Sequence, residues 1–197
     1  MRASSNRASP QEQEHRRRLL AGLSGRVIEV GAGNGLNFPF YPASVENVLA
    51  LEPEPTLRAA AIAAAGATSV PITVVDGVAG RLPAGDESFD AGVVSLVLCS
   101  VRDQSRALAE LRRVIRPGGE LRFYEHVAAQ RPAAVRLQRL ADVTVWPRLA
   151  GGCHLSRDTG TAIAQAGFVI ERSERFLFIP GTPIMKLPHI LGSARRA

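Results

Sequence analysis

The sequence predicts an α/β domain with a mostly parallel sheet covered by helices on both faces. Short β-rich runs alternate with helical segments along the chain. The first of these runs leads straight into a glycine-rich turn, Gly31-Ala32-Gly33-Asn34-Gly35. Acidic residues then recur where the second and third runs stop. In such sheets ligands bind beyond the carboxyl ends of the strands, so these are the places to look for function. A chain of 197 residues suits one domain with a core large enough to need no disulfide or metal staple.

The elements follow in order. Residues 1 to about 10 are expected to fray, and Gln11 to Leu23 reads as a short polar helix stopped by Ser24-Gly25, so that 1–23 form a leading segment and 24–197 the domain. Arg26 to Val30 is the first strand and Val48 to Glu52 the second, stopped by Pro53 and Pro55. Thr56 to Ala65 is an alanine-rich helix with Thr56 as its N-cap. Ile72 to Asp76 is the third strand and Phe89 to Ser100 the fourth. Ser105 to Arg116 has Leu108, Leu111 and Ile115 at helical spacing. Pro117-Gly118-Gly119 ends it before a fifth strand, Glu120 to Glu125. Helices are expected at Ala134 to Leu149 and Asp158 to Ala166, a sixth strand at Phe168 to Glu174, and a last short one at Leu191 to Ala194.

Composition excludes several classes. The hydrophobic fraction is 46% and the charged fraction 21%, which suits a globular protein and not a disordered or collagen-like one. The longest apolar run, Ala91 to Val101, falls short of the roughly 18 residues of a membrane span. The polar stretch Met1 to Gln13 has no apolar core of a secretory signal, and two cysteines fit a reducing compartment, so a cytoplasmic location is expected. The net charge is +6, but all 24 basic residues except Lys186 are arginine. With the many alanines, that reads as the coding bias of a GC-rich genome. The arginines are dispersed apart from Arg16-Arg17-Arg18 and do not interleave with aromatics, so nucleic acid is not the expected partner. Attraction to anionic substrates or surfaces stays open.

Glu29-Val30-Gly31-Ala32-Gly33-Asn34-Gly35 does not fit a dinucleotide fingerprint, because the third glycine comes one residue early and no helix follows promptly. That disfavours a nicotinamide or flavin enzyme. The spacing resembles motif I of the class I S-adenosylmethionine (SAM) methyltransferases. Glu52, 17 residues after Gly35, is placed to accept hydrogen bonds from ribose hydroxyls. Asp76-Gly77-Val78 lies where that family puts a polar group near the adenine amino group. Ser88-Phe89-Asp90 and Arg116-Pro117-Gly118-Gly119 are further hallmarks. The resemblance implies a single doubly wound, Rossmann-like sheet of seven strands in the order 3-2-1-4-5-7-6 with the last antiparallel. It also implies SAM as cofactor, S-adenosylhomocysteine as product, and cofactor contacts from Glu29, Gly31, Ala32, Gly33, Gly35, Asn37, Glu52, Pro53, Asp76, Gly77, Val78, Leu96 and Val97.

A narrower likeness rests on Asn37-Phe38-Pro39-Phe40-Tyr41-Pro42, Leu96 to Val101, Glu125-His126-Val127, Gly152 to Arg157 and Pro188 to Gly192. These look like the methyltransferase-like seven group of alkyl-thiol methyltransferases, over about residues 15–195. That group begins with a hydrophobic membrane-binding helix; this chain does not show one, so membrane attachment is not carried over. The resemblance implies methylation of a small, fairly apolar acceptor, a thiol first. A carbon, oxygen or nitrogen acceptor of quinone-like or natural-product type, or SAM binding without turnover, stands beside it. His126, at the end of the fifth strand, is the candidate base or else a histidine bonded to a carbonyl. Cys99 and Arg157 join it as catalytic candidates, Cys99 being otherwise a small core residue. Phe40, Tyr41, Ser100, Trp146, Cys153 and His154 are candidates for the acceptor pocket, with core packing the other role for Trp146. No metal-ligand spacing appears around Cys153-His154. A monomer or dimer is expected.

Overall fold

A computed structural model describes residues 8–144, 146–178 and 186–197. The expected fraying of the first ten residues therefore falls mostly outside the described residues. Among those described, seven strands form one sheet in the order β3-β2-β1-β4-β5-β7-β6. The strands are β1 (Gly25–Val30), β2 (Val45–Leu51), β3 (Ile72–Val75), β4 (Phe89–Ser95), β5 (Ile115–His126), β6 (Phe168–Phe178) and β7 (Leu187–Arg196). The first five pair in parallel, and β7 runs antiparallel to both neighbours. The order and the reversed last strand are those the resemblance implies.

Successive side chains of a strand face opposite layers, and each layer is closed by helices. Ile28 and Val30 of β1 and Val94 of β4 pack under α3 (Gln104–Val114), whose Ala107, Leu108, Leu111 and Val114 form one buried stripe. Burying each such leucine contributes about 1.5–3 kcal/mol. Val27, Val93 and Tyr124 face the other layer, against Leu19 and Leu20 of α1 (Pro10–Leu20) and Ala61 of α2 (Pro55–Ala65). The leading segment thus packs on the sheet, chiefly on β5. Ser9 caps α1 by accepting from the Glu12 N–H at 3.2 Å.

Several boundaries differ from the sequence reading, each for a local reason. The cap of α2 is Glu54, whose carboxylate accepts from the Thr56 and Leu57 N–H groups; Thr56 already lies inside the helix. The fourth strand stops at Ser95, because Leu96 turns to φ 61° and the following residues fold into a turn. The β-rich run 89–100 hid that turn. β5 begins at Ile115, so Pro117-Gly118-Gly119 lies within the strand as an irregular start, with Gly118 at φ 72°. The long helix expected at 134–149 is two helices, α4 (Pro132–Val143) and α5 (Trp146–Leu149), Pro147 being unable to continue a helical ladder. After α6 (Thr159–Gln165), β6 reaches Phe178. The final strand is ten residues long, because pairing on both edges sustains it from Leu187.

Candidate functional site

The carboxyl ends of β1 to β4 open into one cavity of about 1040 Å³, at the top of the usual range of about 300–1,000 Å³ for small-molecule sites. Its floor is the turn after β1. Gly31, Gly33 and Gly35 have φ of 71°, 58° and 81°, a region that other residues enter only with strain. A side chain on Gly35 would collide with Phe38 and Ala64, whereas one on Gly33 would enter open space. Two glycines thus serve different ends: Gly35 lets the turn pack on α2, and Gly33 keeps the cavity floor bare.

Glu52, just past β2, reaches over this turn. Its Oε2 accepts from the Gly33 N–H at 2.8 Å and its Oε1 from the Glu54 N–H at 2.9 Å. Each oxygen keeps lone-pair capacity on the cavity side. Glu29 sits at the inner end of the same cavity and is buried. It accepts from Asn37 Nδ2 at 2.8 Å and from Tyr41 Oη at 2.7 Å. Burial pushes its carboxyl above the usual range, opposed by those two donors and by Arg16. Arg16 donates from Nη1 to Asn37 Oδ1 at 2.8 Å and to Ser95 Oγ at 3.2 Å, and pairs with Glu12 at 2.7 Å. Its Nε is buried and has no partner among the described residues.

The fourth wall is the turn Leu96 to Ser100. Glu125, buried on β5, accepts from the backbone N–H groups of Val97, Leu98 and Cys99 at 2.9–3.1 Å. Burial raises its pKa well above the carboxylate range, against those three donors. This buried acid fixes the turn that places Leu96, Val97 and Ser100 on the cavity.

Among the residues singled out from sequence, Glu29, Gly31, Ala32, Gly33, Asn37, Glu52, Pro53, Gly77, Val78, Leu96, Val97 and Ser100 line the cavity. The rest stand elsewhere. Gly35 lies under the turn. Asp76 is exposed and pairs with Arg58 at 3.2 Å, so the third strand end offers the cavity Gly77 and Val78 and no carboxylate. Tyr41 is buried with its hydroxyl on Glu29, and half-buried Phe40 lies under the Arg17 guanidinium. Cys99 does not end a strand; it sits in the turn behind the wall.

The remaining acceptor candidates form a second cluster behind that wall. Cys153 Sγ is 3.8 Å from His126 Nδ1, the His154 N–H donates to Cys99 O at 2.8 Å, and Arg157 Nη1 donates to Leu98 O at 2.5 Å. The contact with Cys153, then burial, pushes the Cys99 thiol well up, and the same contact draws Cys153 down. Burial lowers His126 to about 4 and also lowers Arg157. Trp146 stands beside Cys153 on the half-buried inner side of α5. None of these side chains lines the cavity, and a histidine neutral down to about pH 4 is a poor base at neutral pH. Sequence reasoning missed Arg16, Ser95, Ala150 and Gly151, which do line it. A buried acid on β1 needs a partner, and that requirement was the available signal for Arg16.

Comparisons with known proteins agree with this geometry. The sequence pattern of the Methyltransferase domain family matches residues 28–123. Thiol S-methyltransferase TMT1B of Mus musculus is 37% identical over 183 residues, 89% of this chain and 73% of that protein. Demethylmenaquinone methyltransferase of Thermobifida fusca is 38% identical over 96 residues, 48% of this chain and 41% of that protein. A crystal structure of an S-adenosylmethionine-dependent methyltransferase from Mesorhizobium loti superposes with a TM-score of 0.66 at 22% identity, covering 93% of this chain and 96% of that one. The sheet order and the glycine turn define a Rossmann-like methyltransferase fold. The chain belongs to the class I S-adenosylmethionine-dependent methyltransferases, in the methyltransferase-like seven group.

S-adenosylmethionine is the cofactor of that family, and the residues present fit it. A carboxylate with free lone pairs suits the vicinal hydroxyls of its ribose, and a bare glycine floor beside a buried guanidinium, whose Nε has no partner among the described residues, suits its amino-acid part. No helix among the described residues is long and apolar enough to cross a membrane, and no group of three or more His, Cys, Asp or Glu side chains there could hold a metal ion.

Proposed function

We propose that this enzyme methylates the sulfur of a small, fairly apolar thiol. One observation carries the reading: the likeness to a thiol S-methyltransferase spans 89% of the chain, whereas that to a demethylmenaquinone methyltransferase spans 48%. What the cofactor supplies when bound is a methyl group activated enough that an in-line nucleophile needs positioning and little else.

This chain's residues supply that positioning. Glu52 takes the ribose hydroxyls, Gly77 and Val78 flank the adenine, and the Gly31 to Gly33 turn with Arg16 takes the amino-acid end. Ser100, Ala150 and Gly151 border the space left for the acceptor. With His126 behind the wall, no histidine, cysteine, lysine or tyrosine among the described residues lines the cavity, so the acceptor proton passes to solvent and the rate climbs with pH toward a thiol pKa near 8.5.

The test is label transfer from radiolabelled S-adenosylmethionine to a panel of alkyl thiols, phenols, amines and quinols, with cofactor affinity measured beforehand by calorimetry. Transfer to thiols alone supports the proposal. Transfer to quinols, phenols or amines alone replaces it with methylation of carbon, oxygen or nitrogen, and binding without transfer to any of the four rejects all these acceptors. No binding overturns the assignment of the cavity itself.

A further inference from the structure

We propose that the outer face of α4 docks on an anionic lipid surface. Leu137, Leu140 and Val143 recur every third residue and are 69%, 59% and 80% exposed, and Leu149 on α5 is 78% exposed. No residue of α4 is fully buried. Its opposite side carries half-buried Ala134, Val135, Gln138 and Ala141 and is tied down by Asp142, whose oxygens accept from the Leu155 and Ser156 N–H groups and the Ser156 hydroxyl. Four such apolar side chains on one short segment exceed the scatter of single exposed residues on ordinary surfaces.

Charge identifies the occupant. Arg131, Arg136, Arg139 and Arg148 are all exposed and take part in none of the ion pairs among the described residues. The segment's carboxylate, Asp142, is turned inward. A second copy docking through the same face would set like charges against each other. A bilayer with anionic headgroups accepts leucines below and guanidiniums at its surface, the pattern of an interfacial amphipathic helix. Such a helix lies on the membrane and does not span it, which its length requires. Leu149 is followed directly by Ala150 and Gly151 of the cavity wall, so docking presents the cavity to the bilayer. Loading of an apolar acceptor from lipid rests on the proposed function; the docking does not.

The experiment is flotation of the full chain with phosphatidylcholine vesicles, with and without phosphatidylglycerol. The wild type is expected to float with the anionic vesicles. Leu137→Gln/Leu140→Gln should weaken partitioning by about tenfold or more while calorimetric cofactor binding and Tm hold. Arg136→Gln/Arg139→Gln should remove the preference for anionic lipid, and the charge-matched pair Arg112→Gln/Arg172→Gln should keep it. Absence of flotation overturns the proposal. So does flotation indifferent to the leucines, which reports diffuse positive charge, and so does a dimer in sedimentation that the leucine variant separates. None of these readouts requires methyl transfer, so failure here and failure of the thiol reading are distinguishable.

Discussion

Arg16 Nη1 lies 2.8 Å from Asn37 Oδ1, and Asn37 Nδ2 lies 2.8 Å from Glu29 Oε1. A helix from the leading segment is thereby wired to a buried acid on the first strand through the loop that floors the cavity. Arg16 also reaches Ser95 at the end of β4, so one side chain braces two walls.

Removing that side chain should loosen both. Arg16→Met leaves Asn37 Oδ1 without its donor and buried Glu29 without a cation. A stability loss of about 1–3 kcal/mol is expected for orphaning buried polar groups, with cofactor affinity falling about tenfold. Denaturant melts and calorimetry measure the two. If α1 closes over the bound cofactor, limited proteolysis in 10–20 should slow when S-adenosylmethionine is added; cleavage at an unchanged rate would sink the idea of α1 as a lid.

Glu52 answers a narrower question. Glu52→Gln keeps one acceptor oxygen and the volume but loses the charge, and a hydrogen bond to a charged group is worth about 1.5–3 kcal/mol. Cofactor affinity should fall about 10- to 100-fold, with a Tm loss limited to the one backbone N–H, of Gly33 or Glu54, from which the amide no longer accepts. An unchanged Kd by calorimetry would take Glu52 out of the cofactor contacts.

The two glycines of the turn should separate folding from binding. Gly35→Ala sets a methyl 2.8 Å from the Phe38 ring and 2.9 Å from Ala64 at a φ of 81°, combining overpacking of about 1–3 kcal/mol with left-handed strain of about 1–2 kcal/mol. It should melt much earlier or fail to express folded. Gly33→Ala meets no protein atom, so it carries the strain alone and fills space the cofactor needs. Its signature is weakened binding in a folded protein, read by calorimetry beside circular dichroism.

What the sequence made legible is what local chemistry encodes. The glycine turn, Glu52 and the strand alternation are short-range signals, and they stand where they were expected. The acceptor side was less legible because it is set by long-range contacts. The run 89–100 reads as one strand until Glu125, 26 residues beyond Cys99, captures three of its N–H groups. That capture turns Cys99 inward and leaves Ser100 on the cavity wall. His126 reads as a strand-end base, yet its partners are Cys153 and the ring of His189, the latter from an antiparallel strand read from sequence as starting only at Leu191. Arg16 reads from sequence only as part of the run Arg16-Arg17-Arg18, because nothing local says that α1 lies over a buried carboxylate.

The buried histidines predict how stability depends on pH. His15, His126 and His189 lie in one cluster with Tyr124, Phe176 and Phe178; the His126 and His189 rings are 5.5 Å apart, and among the described residues neither Nε2 atom has a partner. Burial lowers all three, His126 and His189 to about 4. The unfolded chain therefore binds more protons than the folded one below the ordinary histidine value of about 6.5, and stability falls as pH drops from there toward 4. Each of the two deeper rings contributes roughly 3 kcal/mol at most to that loss, and repulsion between neighbouring imidazoliums holds back protonation of the folded pair further. Urea midpoints at pH 7.5, 6, 5 and 4.5 should decline across this window, and His189→Gln should flatten the decline. The same burial keeps His126 neutral throughout the working range, so His126→Gln should leave the shape of the pH–rate profile intact. A profile that loses a limb in that variant would return His126 to the role of base.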